Sequence, residues 1–398
     1  MLVPLTGVIR SYAWGSHTSI ADFLGAPSPA EDPQAELWFG AHPSGSSLVS
    51  TGETVGSLIA ADPEAQLGAR SIGEHGRRLP FLLKVLAPAA PLSLQAHPDR
   101  EQARAGFTAE QRSGRPLDAP HRTYRDPYAK PEMLCALAPT EALCGFRSVP
   151  RTVEMLTELA APPLLSWVRT LSARPSGAAL REIVTHLLAM PAAAQAPLVT
   201  EVADSCRERP PTARFAPEYA VIRRLAAAHP ADVGVVVAVL LNYVRLEPGE
   251  AIYLPAGNLH TYLSGFGIEA QANSDNTLRG GLTPKHIDVP ELLRLLDFSD
   301  ADATIIDPDR IRAGLDRWPC PAREFRLDRA TVTAAMPVVL EDGAGPSILL
   351  VTGGTLTAST AGASVELQRG QAAYRPAADP TVTLSGQGVA FVVTINPG

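Results

Sequence analysis

Lysine is nearly missing from this chain. Of 34 basic residues only three are lysines: Lys84, Lys130 and Lys285. Arginine serves wherever a bare cation suffices. A retained lysine therefore marks a place for a compact ammonium, or for one able to give up its proton. Cysteine is sparse as well. Cys135, Cys144, Cys206 and Cys320 show no CxxC spacing and no disulfide-framework density. The net charge of -7 leaves no basic footprint for nucleic acid. No apolar run is long enough to span a membrane, and the N-terminal residues lack a basic segment followed by an apolar stretch. The expectation is a soluble, cytoplasmic protein with reduced thiols. Histidine is absent after His286, so the C-terminal part offers no imidazole for chemistry.

What is present starts with size. At 398 residues and 45% hydrophobic content, the chain has room for two or three domains with a substantial core. The most informative stretch is Pro91-Leu-Ser-Leu-Gln-Ala-His-Pro-Asp99. Ser93, Gln95 and His97 alternate with Leu94 and Ala96, the period of a strand with one polar face. An amide oxygen and an imidazole two residues apart then point the same way, as two ligands of one metal ion would. Pro98 ends regular pairing and puts the pair near a strand end. Taken alone, the fragment reads first as the polar side of a half-buried strand, since single histidines are usually structural.

Other segments change those odds. Ile20–Leu24 reads as a short helical turn. Ala35-Glu-Leu-Trp-Phe-Gly-Ala-His-Pro43 reads as a strand in which Glu36, Trp38 and His42 line a pocket. Pro80–Leu86 is an apolar strand holding Lys84, a charge that needs a carboxylate partner or a cavity. Residues 100–126 read as irregular after a short helical start. Lys130 and Glu132 alternate at the head of an apolar strand, with Pro131 between them. From 150 to 240 leucine and alanine recur at helical spacing between proline breaks, the pattern of an inserted helical domain. Beyond Leu241 the pattern returns to short strands and Pro-Gly turns, the texture of a jelly-roll barrel, with His260 on one strand and Glu269 on the next. Asn273–Lys285 is a polar loop with Asp275, Arg279 and Lys285. The segment from about 311 repeats the barrel grammar. Gln95, His97, Glu132 and His260 thus form a plausible set of ligands for zinc, with iron, manganese or cobalt as competitors.

Seven motifs together resemble the type I phosphomannose isomerases. They are Tyr12–Gly15, Ala35–Trp38, Ser93–Asp99, Lys130–Met133, Glu141–Phe146, Pro255–His260 and Asn273–Lys285, in the family's order. The resemblance implies a mainly β fold of two cupin-like jelly-roll barrels with an inserted helical domain. The catalytic cupin domain would comprise 1–149 and 241–310, the helical insertion 150–240, and the second cupin-like domain 311–398. It implies one zinc ion on Gln95, His97, Glu132 and His260. It also implies interconversion of mannose 6-phosphate and fructose 6-phosphate through a cis-enediol.

In that reaction Arg279 would stabilise enediolate charge, and Lys130 and Asp275 are the candidates for proton transfer. Glu269 would orient a lysine or a substrate hydroxyl. Lys285, Ser93, Trp14 and Glu36 would hold substrate, and Lys84 would act as a supporting charge. The expected partner is a small sugar phosphate, with no nucleic acid and no membrane, and nothing demands more than a monomer. Two departures stand out. Ala129 occupies the position where many members carry histidine before the Lys-Pro-Glu motif, and Ala270-Gln-Ala272 is less apolar than usual. The competing readings are a cupin that binds sugar phosphate without turnover and an iron-dependent cupin dioxygenase. The dioxygenase reading leaves Gln95, Arg279 and Lys285 unexplained.

Overall fold

The computed structural model describes residues 1–341, 345–379 and 381–397. Within them the fold is mainly β, with two antiparallel ten-stranded sheets and eleven α-helices. The first sheet carries the chemistry-bearing motifs. At its centre His260–Ala272 runs between Phe81–Leu86 and the long strand Glu132–Phe146, and Glu36–His42 pairs on the far side of Phe81–Leu86. Leu94–Ala96 joins one end of His260–Ala272 and pairs in turn with Leu278–Gly281.

Strand periodicity sorts these residues between two interiors. Leu37, Phe39, Phe81, Leu83, Val85, Met133, Ile268 and Ala270 turn toward the second sheet. There they meet Trp318, Phe325, Ile348, Leu350, Tyr374, Phe391 and Val393 in one buried cluster. The alternate positions, Glu36, Trp38, Lys84, Glu132 and Glu269, face the other way and are also buried. A strand buried on both faces reads as a near-continuous apolar run. That is why Phe81–Leu86 shows no alternation except its one lysine.

Helices form where the leucine and alanine spacing predicts them. Val149–Leu159, Leu165–Ala173, Gly177–Leu188, Ala192–Glu208, Ala216–Ala228 and Gly234–Ala238 pack around Leu156, Leu180, Val184, Leu225 and Val236. The same cluster takes in Leu94, Ala96, Leu259, Leu278 and Leu282 of the first sheet and its loops. The insertion is therefore continuous in packing with the strands that carry Gln95 and Arg279.

Four features differ from the sequence reading. His260 and Glu269 share one 13-residue strand, His260–Ala272, instead of standing on successive strands. Arg100–Arg112 is a full 13-residue helix, not a short helical start. Its strongly polar surface hid it, but Asp99 and Gln102 form a reciprocal capping box and its interior residues are good helix formers. Leu134–Leu137 and Glu141–Phe146 belong to a single 15-residue strand. Pro139 separates them in sequence, yet it is exposed and falls among register irregularities, where a ladder tolerates a missing N–H. Finally, Val3–Thr6, at the very start of the chain, pairs with Ala372–Arg375 in the second sheet, and Leu48–Val49 pairs beside it.

Candidate metal centre and active site

His97, Glu132 and His260 come together at the buried end of the first sheet, with one potential ligand atom from each within 4.8 Å of the others. His97 Nε2 lies 3.4 Å from Glu132 Oε1, and His260 Nε2 lies 3.4 Å from Glu132 Oε2. Each imidazole is held by a backbone carbonyl. His97 Nδ1 donates to the carbonyl of Asn276 at 2.7 Å and His260 Nδ1 to that of Asn258 at 2.9 Å. These bonds fix the tautomer and aim both Nε2 lone pairs at the carboxylate. Two groups that should repel then face one another across a gap, and His97 Nε2 and Glu132 Oε2 are buried without a hydrogen-bond partner. Orphaned buried acceptors converging on one point are what a cation requires, so the residues fit a metal ion.

The Gln95 amide lies 3.4 Å from His260 Nε2. Register sets it there, because Gln95 is the strand partner of both His260 and Arg279. Of the two amide atoms it is the oxygen that can serve as a ligand. Burial drives the His97 imidazole down to about 4, which keeps it neutral and available as a donor. Burial alone would raise the Glu132 carboxyl. His97 and Lys130 beside it hold it well below the usual carboxylate range.

Next to the centre lies a row of buried charges. Lys130 Nζ is 3.3 Å from Glu132 Oε1 and 3.4 Å from Thr277 Oγ1. Lys84 Nζ is 3.0 Å from Glu269 and 3.5 Å from Glu36, and it stands over the Trp38 ring. The Trp38 indole N–H donates to Glu36. Burial opposes charge on Lys84, but Glu269 and Glu36 outweigh it and keep the ammonium protonated. Glu269 is pushed up, by burial first and by the neighbouring carboxylates Glu132 and Glu36, against the pull of Lys84.

The polar loop supplies the opposite wall. Arg279 and Lys285 have no carboxylate partner among the described residues, and each is lowered by burial and by repulsion from a third cation, Arg125. Asn276 organises this wall. Its side chain accepts from the Arg125 backbone N–H and donates to the carbonyls of Asp126 and Tyr128. Asp232, from the helical insertion, accepts from the backbone N–H of Thr283 at 3.0 Å and of Gly234 at 2.7 Å. It thereby pins the turn between Arg279 and Lys285. In that turn Leu282 adopts a positive φ of 57°, and Gly281 abuts Gly234 so closely that a Cβ on Gly281 would lie 2.6 Å from the Gly234 Cα.

Comparison with known proteins gives this arrangement a family. The model for the catalytic domain of type I phosphomannose isomerase matches residues 2–149. Mannose-6-phosphate isomerase of Escherichia coli K12 is 34% identical over 395 residues, covering 96% of this chain and 97% of that one. The Bos taurus enzyme is also 34% identical, with 92% and 91% covered. A zinc-bound crystal structure of mannose 6-phosphate isomerase superposes with a TM-score of 0.90 at 31% identity, covering 99% of both chains. The chain belongs to the phosphomannose isomerase family.

The fold brings eight of the candidate site residues into one region: Gln95, His97, Glu132 and His260, with Lys130, Asp275, Arg279 and Glu269 around them. Lys285 lies on the exposed turn within electrostatic reach of Arg279. Ser93 is half-buried at the approach to Leu94–Ala96. Two others are occupied elsewhere. Glu36 is engaged by Lys84 and Trp38. The Trp14 ring stacks on Tyr12 and packs on the apolar cluster of Leu86, Leu134 and Tyr262. Arg125, Asn276 and Asp232 were not singled out from sequence. Asn276 sits inside the quoted Asn273–Lys285 motif, so a signal existed for it. Arg125 lies in an irregular stretch and Asp232 in the helical insertion, where no local pattern marks either.

Proposed function

We propose that this chain is a zinc-dependent aldose–ketose isomerase that interconverts mannose 6-phosphate and fructose 6-phosphate. The observation that carries the reading is the pairing of two neighbouring features. One is the set of converging ligand atoms on His97, Glu132 and His260, of which His97 Nε2 and Glu132 Oε2 are orphaned. The other is the cluster of cations Arg125, Arg279 and Lys285, suited to a phosphate and to developing negative charge. Dioxygen chemistry would use the first and leave the second idle.

Gln95, His97, Glu132 and His260 are the residues that would hold the zinc. When bound, it would supply Lewis acidity toward the substrate oxygens. The chain's own groups do the rest. Lys285 and Arg125, with Ser93, hold the phosphate end. Arg279 faces the charge of the enediolate as the C2 proton leaves. Lys130 and Asp275 are the groups placed to take a proton from one carbon and return it to its neighbour. Glu269 fixes Lys84, and through it Glu36 and Trp38, as the floor beneath the sugar. Ala129 has no group to relay a proton, so the relay falls to these residues. The same proposal takes the two sheets as cupin-like barrels, with 1–149 and 241–310 as the catalytic domain, 150–240 as the insertion and 311–398 as the second barrel. It describes a cytoplasmic enzyme acting as a monomer.

The test is a coupled assay of mannose 6-phosphate isomerisation before chelation, after it, and after zinc is restored. Activity should vanish with chelation and return with zinc. Tight sugar-phosphate binding without turnover in fully zinc-loaded protein would replace the isomerase by a binding protein.

A further inference from the structure

His42 has been placed so far only as a wall residue, yet its hydrogen bonds give it a defined job. Its ring is 2% exposed and stands edge-on to Trp38, with ring centroids 4.9 Å apart. Trp38 is itself anchored through its indole N–H to Glu36, so the ring plane of His42 is set by packing against a fixed surface. Its two nitrogens face different chemistry. Nδ1 receives the backbone N–H of Ser44 at 3.2 Å and lies 2.8 Å from the Ser44 hydroxyl. A backbone N–H can only donate, so Nδ1 must accept and carries no hydrogen. The hydrogen then resides on Nε2, which points at Asp275 Oδ1 at 3.3 Å.

Asp275 is the one proposed proton-transfer group at the open mouth of the site, its side chain 46% exposed. Its backbone N–H donates to Asp126 at 2.8 Å, which fixes the main chain but not the carboxylate. Among the described residues, the only side-chain donor to the carboxylate is His42. Burial would raise the Asp275 carboxyl; the His42 hydrogen bond, with Lys130 and Arg125 nearby, brings it below its ordinary range. The second oxygen, Oδ2, has no protein partner among the described residues.

We infer that His42 is a positioning residue for proton transfer: through Nε2–H it holds one oxygen of Asp275 and leaves the other oriented toward substrate. The row Glu269–Lys84–Glu36–Trp38–His42–Asp275 then links the buried charges to the mouth by consecutive contacts. His42 touches no reacting atom. It acts by restricting a half-exposed carboxylate that would otherwise sample several rotamers, and small misplacements of such a group are costly to rate.

This rests on the isomerase reading, and a double-mutant cycle on kcat separates the two. The four proteins are wild type, His42→Phe, Asp275→Asn and the double variant, each with zinc content and melting temperature measured. Asp275→Asn should cut kcat by about a hundredfold, and His42→Phe by roughly tenfold, the worth of one hydrogen bond to a charged group. KM should change little in either. In the Asp275→Asn background, His42→Phe should cost nothing further. His42→Gln, which keeps an amide N–H donor, should recover most of the loss, and His42→Leu takes the place of His42→Phe in the cycle should the phenylalanine variant not fold.

A full additional tenfold loss in the Asp275→Asn background would overturn the proposal. So would His42→Gln falling as low as His42→Phe, or undiminished turnover in Asp275→Asn. Absence of turnover in zinc-loaded wild type would instead overturn the isomerase reading itself.

Discussion

The two ten-stranded sheets are alike in strand number and antiparallel pairing, and they differ in how they treat buried charge. The second sheet packs Leu349, Val351, Leu356, Leu367, Val382, Leu384 and Val392 in one apolar cluster. Its ionic groups sit outside that cluster, as in the Arg317–Asp328 and Arg329–Asp316 pairs. The first sheet turns Glu36, Lys84, Glu132, Glu269, His97 and His260 to its inner face, all nearly inaccessible to water. Burying one ion costs several kcal/mol even after relaxation. In the second sheet that cost is met within the protein: buried Asp328 pairs with Arg317 and Arg326, and buried Arg375 donates to Ser347 and to the carbonyls of Gly345 and Asp379. In the first, His97 Nε2 and Glu132 Oε2 are left without a hydrogen-bond partner, and that sets its charges apart.

That contrast can be broken or sharpened in steps. The largest effect should come from His260→Ala. Activity is expected to fall to background together with zinc content, read by metal analysis of the purified protein; a fully zinc-loaded variant would contradict the ligand assignment. Arg279→Ala should reduce turnover by roughly 10²–10³-fold, the range for removing one group that stabilises developing negative charge. Zinc content should stay near that of wild type, because Arg279 faces the ligands across a strand pair without sharing their buried gap. Leu349→Ala, in the second sheet, should leave kcat and KM of the folded enzyme unchanged. It should lower unfolding free energy by about 2–5 kcal/mol, read by denaturant titration. A catalytic defect there would erase the division of labour between the sheets.

Legibility in the sequence followed the range of the interaction. Gln95 and His97 announce themselves because two residues along a strand is a local relation. Lys84 was readable because a lone charge in an apolar run has few ways to be satisfied, and Glu269 and Glu36 satisfy it. Residue chemistry on separate strand-like segments grouped Glu132 and His260 with the first pair, and the family motifs agreed. What escaped was tertiary. Val3–Thr6 is four residues of unremarkable polarity, and its partner near Tyr374 lies at the other end of the chain. The helix Arg100–Arg112 lacks a broad apolar stripe, burying only Ala103 and Glu110, so its capping box was the one local clue. Asp232 reaches Thr283 across 51 residues, and no local pattern encodes such a contact. His42 lay in plain view within a strand, but its role depends on which nitrogen meets Asp275, and that is settled only by the position of Ser44.

The ligand set also has a consequence for how the molecule comes apart. Gln95 and His260 are 165 residues apart, with the whole helical insertion folded between them. Closing so long a loop is slow and entropically expensive, and little rewards it until both strands are paired. A cation held by such a set binds the folded chain and not the unfolded one, so it shifts the unfolding equilibrium by mass action.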